Sequence, residues 1–332
     1  MKHEILLAAP DIIKGFLIYS ETIKNKSENS VNEYYTDLRT FFRYIKLIRG
    51  LVSKDTPFKE IDISDIGLDL AKTVTLQDLY AFLVFCKNDL NNNPTTRARK
   101  CSVLKIYFRY LTLNTHQLDS NPAELLEAPK ATSSLPKYMT LEDSIQLLES
   151  IDGNNKERDY CIITLFLNCG LRLSELCGIN LSDISGDGRL RVLGKGRKER
   201  IIYLNQACAD SIESYLRVRP NDGVPADHKN ALFISRNKRR ISNKTVQHIV
   251  YTFLDKAGLG GMGLSPHKLR HTAATLMYQQ GHVDVRALKE VLGHANLNTT
   301  QIYTHLSNDL IKDAFDANPL SNIKPRNNKP TH

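Results

Sequence analysis

Apolar residues recur every three or four positions through the first third of the chain. Tyr35, Leu38, Phe41, Phe42, Ile45 and Ile48 follow Ser30-Val31-Asn32-Glu33, which reads as a capping box opening an amphipathic helix. Thr75-Leu76-Gln77-Asp78 repeats that signature before Leu79, Phe82, Leu83 and Phe85. After Asn91-Asn92-Asn93-Pro94 a third helix carries Val103, Leu104, Tyr107, Phe108 and Leu111 on its apolar side. Residues 11 to about 115 thus read as helices only, without internal repeats. Prolines at 122, 129 and 136 then block a continuous helix, which places a domain boundary near residue 130 and a linker to about 139. Beyond it the pattern is mixed. Thr140-Leu141-Glu142-Asp143 caps another helix, and strand-like Leu190–Leu193 and Arg200–Leu204 flank a glycine-rich, cationic turn, Gly194-Lys195-Gly196-Arg197-Lys198-Glu199. Leu232-Phe233-Ile234-Ser235 reads as a third short strand. From Ser242 helices return, with Ser265-Pro266 as cap and first-turn proline. Residues 321–332 are polar and proline-containing, the pattern of a disordered tail.

Composition narrows the class. With 332 residues, 41% hydrophobic and 24% charged, the chain has the make-up of a soluble globular protein of two domains. No run approaches the ~18 apolar residues of a membrane span, and the start lacks a signal peptide's apolar core, so a cytoplasmic protein is expected. A net charge of +9 points to a polyanionic partner, most simply nucleic acid. The third helix begins with Arg97, Arg99, Lys100 and Lys105, which form either a solvated face or a phosphate-contacting one. Lys137 in the linker and Arg197 in the cationic turn are further candidates for DNA contact. Six scattered cysteines without a C-x-x-C pair read as small buried hydrophobes in a reducing compartment. Metal-ligand, P-loop and dinucleotide fingerprints are absent, so neither metal nor cofactor is expected.

Four short segments carry the chemistry. They are Gly170-Leu171-Arg172-Leu173-Ser174-Glu175-Leu176, the turn at 194–200, Pro266-His267-Lys268-Leu269-Arg270-His271-Thr272, and Leu292-Gly293-His294 followed by Thr299-Thr300-Gln301-Ile302-Tyr303-Thr304-His305. Each alone is weak. Arg172 could simply pair with Glu175 at i+3, and a tyrosine near a helix end is usually core. In this order the four segments resemble the tyrosine recombinase (phage integrase-like) family, most closely its compact Xer-type members, over residues 140 to about 306.

The resemblance implies a multidomain protein: an all-α, SAM-like core-binding domain at 1–130 and a mixed α+β catalytic domain at 140–320, closing as a clamp on duplex DNA. It implies that Tyr303 attacks a DNA phosphate to form a 3′-phosphotyrosyl link. Arg172 and Arg270 would then steady the phosphate, since guanidinium groups bind it bidentately and stay charged. His267 would accept the phenol proton, Lys195 would act as general acid for the leaving 5′-hydroxyl, and His294 would hydrogen-bond the phosphate. Glu175 reads as support for the arginines. The amphipathic segment Leu306–Phe315 is expected to dock on a neighbouring subunit in a homo- or hetero-tetramer on two DNA sites. Residues 1–10 leave no room for an extra arm-binding domain, which favours Xer-type resolution of chromosome dimers, with an accessory DNA translocase as a further partner. An integrase or transposase of a phage or conjugative element stays open, as does a catalytically silent DNA-binding protein.

Overall fold

The computed structural model describes residues 3–53, 55–130, 138–194, 199–279, 313 and 315–323. The chain divides into two compact units, Met1–Ser133 and Ser134–His332. Among its described residues the first unit holds helices α1 (His3–Ala8), α2 (Asp11–Thr22), α3 (Glu28–Ile48), α4 (Leu68–Lys72), α5 (Leu76–Asn88) and α6 (Pro94–Arg109), the last running into a π-helical turn at Tyr110–Asn114. An aromatic cluster fills its centre. Phe41 meets Phe42, Phe82 and Phe108 edge-on at centroid distances of 5.2, 5.2 and 6.1 Å, the arrangement that ring quadrupoles favour. The capping box at Thr75 and Asp78 opens α5, and Asn93 caps α6 with Pro94 in its first turn. One start is displaced from expectation. Ser27, not Ser30, caps α3, because Asn25 at φ 48° turns the chain just before it and leaves Ser30 inside the first turn.

The cationic start of α6 makes contacts within its own unit. Lys100 is buried, and its Nζ donates to Oδ1 of the buried Asp37 at 2.8 Å. Arg99 reaches the other oxygen of Asp37 and lies 3.2 Å from Glu33. A buried carboxylate without a partner costs several kcal/mol, so both cations serve α3. Lys105 donates to the Leu126 carbonyl at 3.0 Å, and the half-buried Arg97 has its Nε shielded from solvent. Lys137 and Arg197 lie outside the described residues.

The second unit contains α7 (Leu141–Glu149), α8 (Lys156–Cys169), α9 (Leu173–Gly178), strands β1 (Arg189–Leu193) and β2 (Glu199–Tyr203), then α10 (Gln206–Val218), α11 (Asn243–Lys256) and α12 (Pro266–Gln279). α8 is buried on every side through Cys161–Leu167, as a central helix must be, and α10 and α12 pack against it. The strands pair antiparallel with Leu190 opposite Ile202 and Val192 opposite Arg200. Leu232–Ser235 does not form the third strand. Arg219 takes the carbonyls of Lys229, Ala231 and Leu232 at 2.6–3.0 Å and so pins the approach to this segment. Only isolated bridges, Asn180 to Ala231 and Ile234 to Arg240, are left there.

Near the chain's end the structure describes Asp313 and residues 315–323. Phe315 and Leu320 are buried in the core around α8, and Asn318 Nδ2 donates to the Leu167 carbonyl at 2.9 Å. Phe315 therefore packs on its own unit. The buried Ser321 accepts a bond from the Ala207 N–H at 2.7 Å, and Ile323 packs on the core. Residues 306–312 and 324–332 lie outside the described residues. All six cysteines are free and buried, as small hydrophobes are. Among the described residues, no helix is long and apolar enough to cross a membrane.

Candidate active site

The site starts where α8 stops. Gly170 adopts φ 57°, ψ 36°, and its N–H bonds the Phe166 carbonyl at 3.2 Å. A side chain is disfavoured in that left-handed conformation, so glycine ends the helix and reverses the chain. The turn buries Leu171 and leaves Arg172 extended at the head of α9. Glu175, three residues on, reaches back and accepts the Arg172 backbone N–H at 2.8 Å, the carboxylate half of a capping box.

That carboxylate is a hub. Its Oε1 accepts from Arg172 Nη1 at 2.7 Å and from Arg200 Nη1 at 2.7 Å; its Oε2 accepts from Arg200 Nη2 at 2.8 Å. Arg270 Nη1 stands 3.7 Å from Oε2 and donates to the Gly170 carbonyl at 2.7 Å. Burial pulls the Glu175 carboxyl upward, yet the bonds and charges of Arg200 and Arg172 outweigh it and hold the group at about 2. Arg270 is pushed down to about 10, first by burial and then by the like charge of Arg172, with Glu175 pulling the other way. It remains a cation at neutral pH.

α12 supplies Arg270 from a well-made start. Ser265 caps it, its Oγ accepting the Lys268 N–H at 3.4 Å, and Pro266 occupies the first turn, where no N–H is missed. His267 precedes Arg270 by three residues and is exposed. Its ring stacks on His271 with centroids 4.7 Å apart at 27°. Burial, then the charges of His267, Lys268 and Arg270, lower the His271 pKa and favour its neutral form.

Arg172, Glu175 and Arg270 are thus brought together, with His267 one turn away on the same helix. Lys195, His294 and Tyr303 lie outside the described residues. Arg97, Arg99, Lys100 and Lys105 belong to the other unit. Two residues were given no role from sequence: His271, which stacks on His267, and Arg200. The signal for Arg200 was a charged residue two positions before the inward-facing Ile202 of a strand, but adjacent Ile201 masks the alternation. Among the described residues, no cluster of His, Cys, Asp and Glu could hold a metal. Three guanidinium groups around one carboxylate leave an excess of positive charge suited to a phosphate.

The fold is that of one class, and the chain belongs to the phage integrase family, whose pattern it matches over residues 137–309. Its relatives within that family are Xer-type tyrosine recombinases. Tyrosine recombinase XerC of Caldanaerobacter subterraneus subsp. tengcongensis is 52% identical over 315 residues, spanning 95% of this chain and 88% of that protein. Tyrosine recombinase XerC of Leptospira interrogans is 31% identical over 307 residues, 91% of each chain. The fold is shared with XerH recombinase bound to a palindromic difH substrate, at TM-score 0.67 and 22% identity over 94% of this chain and 86% of that one. It is shared also with a lambda integrase dimer bound to a COC′ core site, at TM-score 0.62 and 17% identity over 87% of this chain and 98% of that one.

Proposed function

We propose that this tyrosine recombinase cuts and rejoins duplex DNA at a specific site through a 3′-phosphotyrosyl intermediate. The observation that carries the reading is the pair Arg172 and Arg270 gathered at one buried carboxylate, 2.7 and 3.7 Å from its oxygens. In this reading the two guanidinium groups hold the non-bridging oxygens of the scissile phosphate, where charge grows as the phosphorus becomes five-coordinate. Tyr303 Oη attacks in line, the P–O5′ bond breaks as the P–Oη bond forms, and His267 takes the phenol proton. Lys195 protonates O5′, and His294 donates a hydrogen bond to the phosphate. Attack by another 5′-hydroxyl reverses the step, so strands are exchanged without a nucleotide cofactor.

The helical unit serves in this reading as a core-binding domain, and the enzyme acts as a homo- or hetero-tetramer on two sites of the nucleoid. The biological role is resolution of chromosome dimers, with a DNA translocase as activator. Support for that role is the 52% identity to a XerC recombinase. The test is to trap phosphotyrosyl adducts in cells and sequence the attached DNA. A single chromosomal site is expected, with Tyr303→Phe abolishing the adducts; recovery of mobile-element junctions would assign the enzyme to integration instead.

A further inference from the structure

Arg200 stands on β2 opposite Val192 and faces inward with Ile202, its side chain 14% exposed. Both terminal nitrogens donate to Glu175, Nη1 to Oε1 at 2.7 Å and Nη2 to Oε2 at 2.8 Å. Its Nε is buried without a hydrogen-bond partner among the described residues, so the fork to Glu175 is what holds the guanidinium. Two planar groups joined by two parallel bonds share a plane, which fixes the rotation of the carboxylate. That rotation matters because Oε1 also receives Arg172 Nη1 and Oε2 also receives the Arg172 N–H. Arg270 waits 3.7 Å from Oε2. A carboxylate freed to turn toward Arg270 would carry Oε1 away from Arg172.

We propose that Arg200 is a positioning residue of the recombination chemistry: through Glu175 it keeps Arg172 in the geometry that engages the scissile phosphate. The proposal rests on the function proposed above. Charge alone is not enough for the task, because a lysine ammonium is a single point donor and cannot fix a plane.

The experiment measures adduct formation on a suicide duplex by the full-length protein and by its Tyr303→Phe, Arg200→Lys and Arg200→Ala forms. Three scissile linkages are compared: the natural phosphate, a methylphosphonate, and a 5′-bridging phosphorothioate. The methylphosphonate is neutral and asks less of Arg172; the phosphorothioate leaves as a thiolate and needs no general acid. On phosphate, Arg200→Lys should lose roughly tenfold to a hundredfold in rate, the cost of a displaced catalytic group. The deficit should shrink to within about threefold on the methylphosphonate and persist on the phosphorothioate. Arg200→Ala should behave alike with a larger loss. Wild-type rates for Arg200→Lys on phosphate would overturn the proposal. So would an equal deficit on all three linkages, which means general structural damage, or a deficit removed only by the phosphorothioate, which places the effect on the leaving group. If wild-type protein forms no adduct, or Tyr303→Phe forms as much, the functional reading itself falls and the proposal with it.

Discussion

Replacing Glu175 with glutamine keeps the side chain's length and removes the charge between three guanidinium groups. The carboxyl is held at about 2 instead of its ordinary 4.5, against the upward pull of burial. A folded-state value below the unfolded one stabilises the protein above the unfolded value, and that stability is lost as pH falls through the folded one. At roughly 1.4 kcal/mol per pH unit of depression the linkage amounts to about 3 kcal/mol, or on the order of 2 once water screens the partly exposed Arg172. Glu175→Gln should therefore destabilise the C-terminal unit by about 2 to 4 kcal/mol at pH 7, the upper figure including the desolvated cations left behind. The gap should be unchanged at about pH 5.5 and more than half closed by about pH 3. The chain has no tryptophan, but Cys161, Cys169, Cys177 and Cys208 are buried in this unit and Cys86 and Cys101 in the other. Labelling with dithiodipyridine across a urea series, read by peptide mass spectrometry, follows each unit separately and works in acid. A loss below about 0.5 kcal/mol at pH 7, or an equal loss at pH 3, would refute the hub's electrostatics.

Lys100→Met should cost the N-terminal unit about 3 kcal/mol, because Asp37 loses a buried partner, yet leave the slope of log affinity against log salt unchanged; a slope reduced by about one would restore Lys100 to the DNA. Phe315→Ala should destabilise the C-terminal unit by about 3 to 5 kcal/mol in dilute protein without DNA, and a loss that appears only at high protein concentration would mean the contact is between subunits. Lys195→Ala should cleave slowly on phosphate and recover on a 5′-bridging phosphorothioate; absence of recovery would remove Lys195 as the acid.

Local signals were legible wherever a side chain bonds its own backbone. The boxes at Thr75 and Thr140 and the caps at Asn93 and Ser265 formed as their sequences suggest. The Arg172–Glu175 pair was legible from its spacing and from the glycine that precedes it. What sequence could not show is which partner a residue meets across the fold. Lys100 reads as a surface cation until Asp37, 63 residues away, is found buried beside it. Leu232–Ser235 has strand composition, but Arg219 takes the Leu232 carbonyl and those of Lys229 and Ala231 just before it, from 10 to 13 residues away. Ser30 fits the capping-box pattern through Glu33 and Ser27 does not, so only the turn at Asn25 reveals that the helix starts a turn earlier. Arg200 failed to stand out for the same reason: its role is defined by a carboxylate 25 residues earlier.

The charge balance of the hub explains why a recombinase would hold so costly an arrangement. Within the described hub, Arg172, Arg200 and Arg270 carry three positive charges against one on Glu175, an excess of two among these four residues. A phosphodiester brings one negative charge, and the five-coordinate species formed on attack approaches two. In the proposed reaction the cluster is closer to neutral with the transition state than with the bound substrate, so its repulsion is relieved most where the barrier lies. Arg270 feels that repulsion directly, lowered to about 10 by burial and by Arg172, yet it stays charged at neutral pH. Glu175 offsets part of the repulsion among the guanidinium groups while leaving the excess in place. A neutral residue there would remove the restraint, and a second carboxylate would cancel the excess that the phosphate requires.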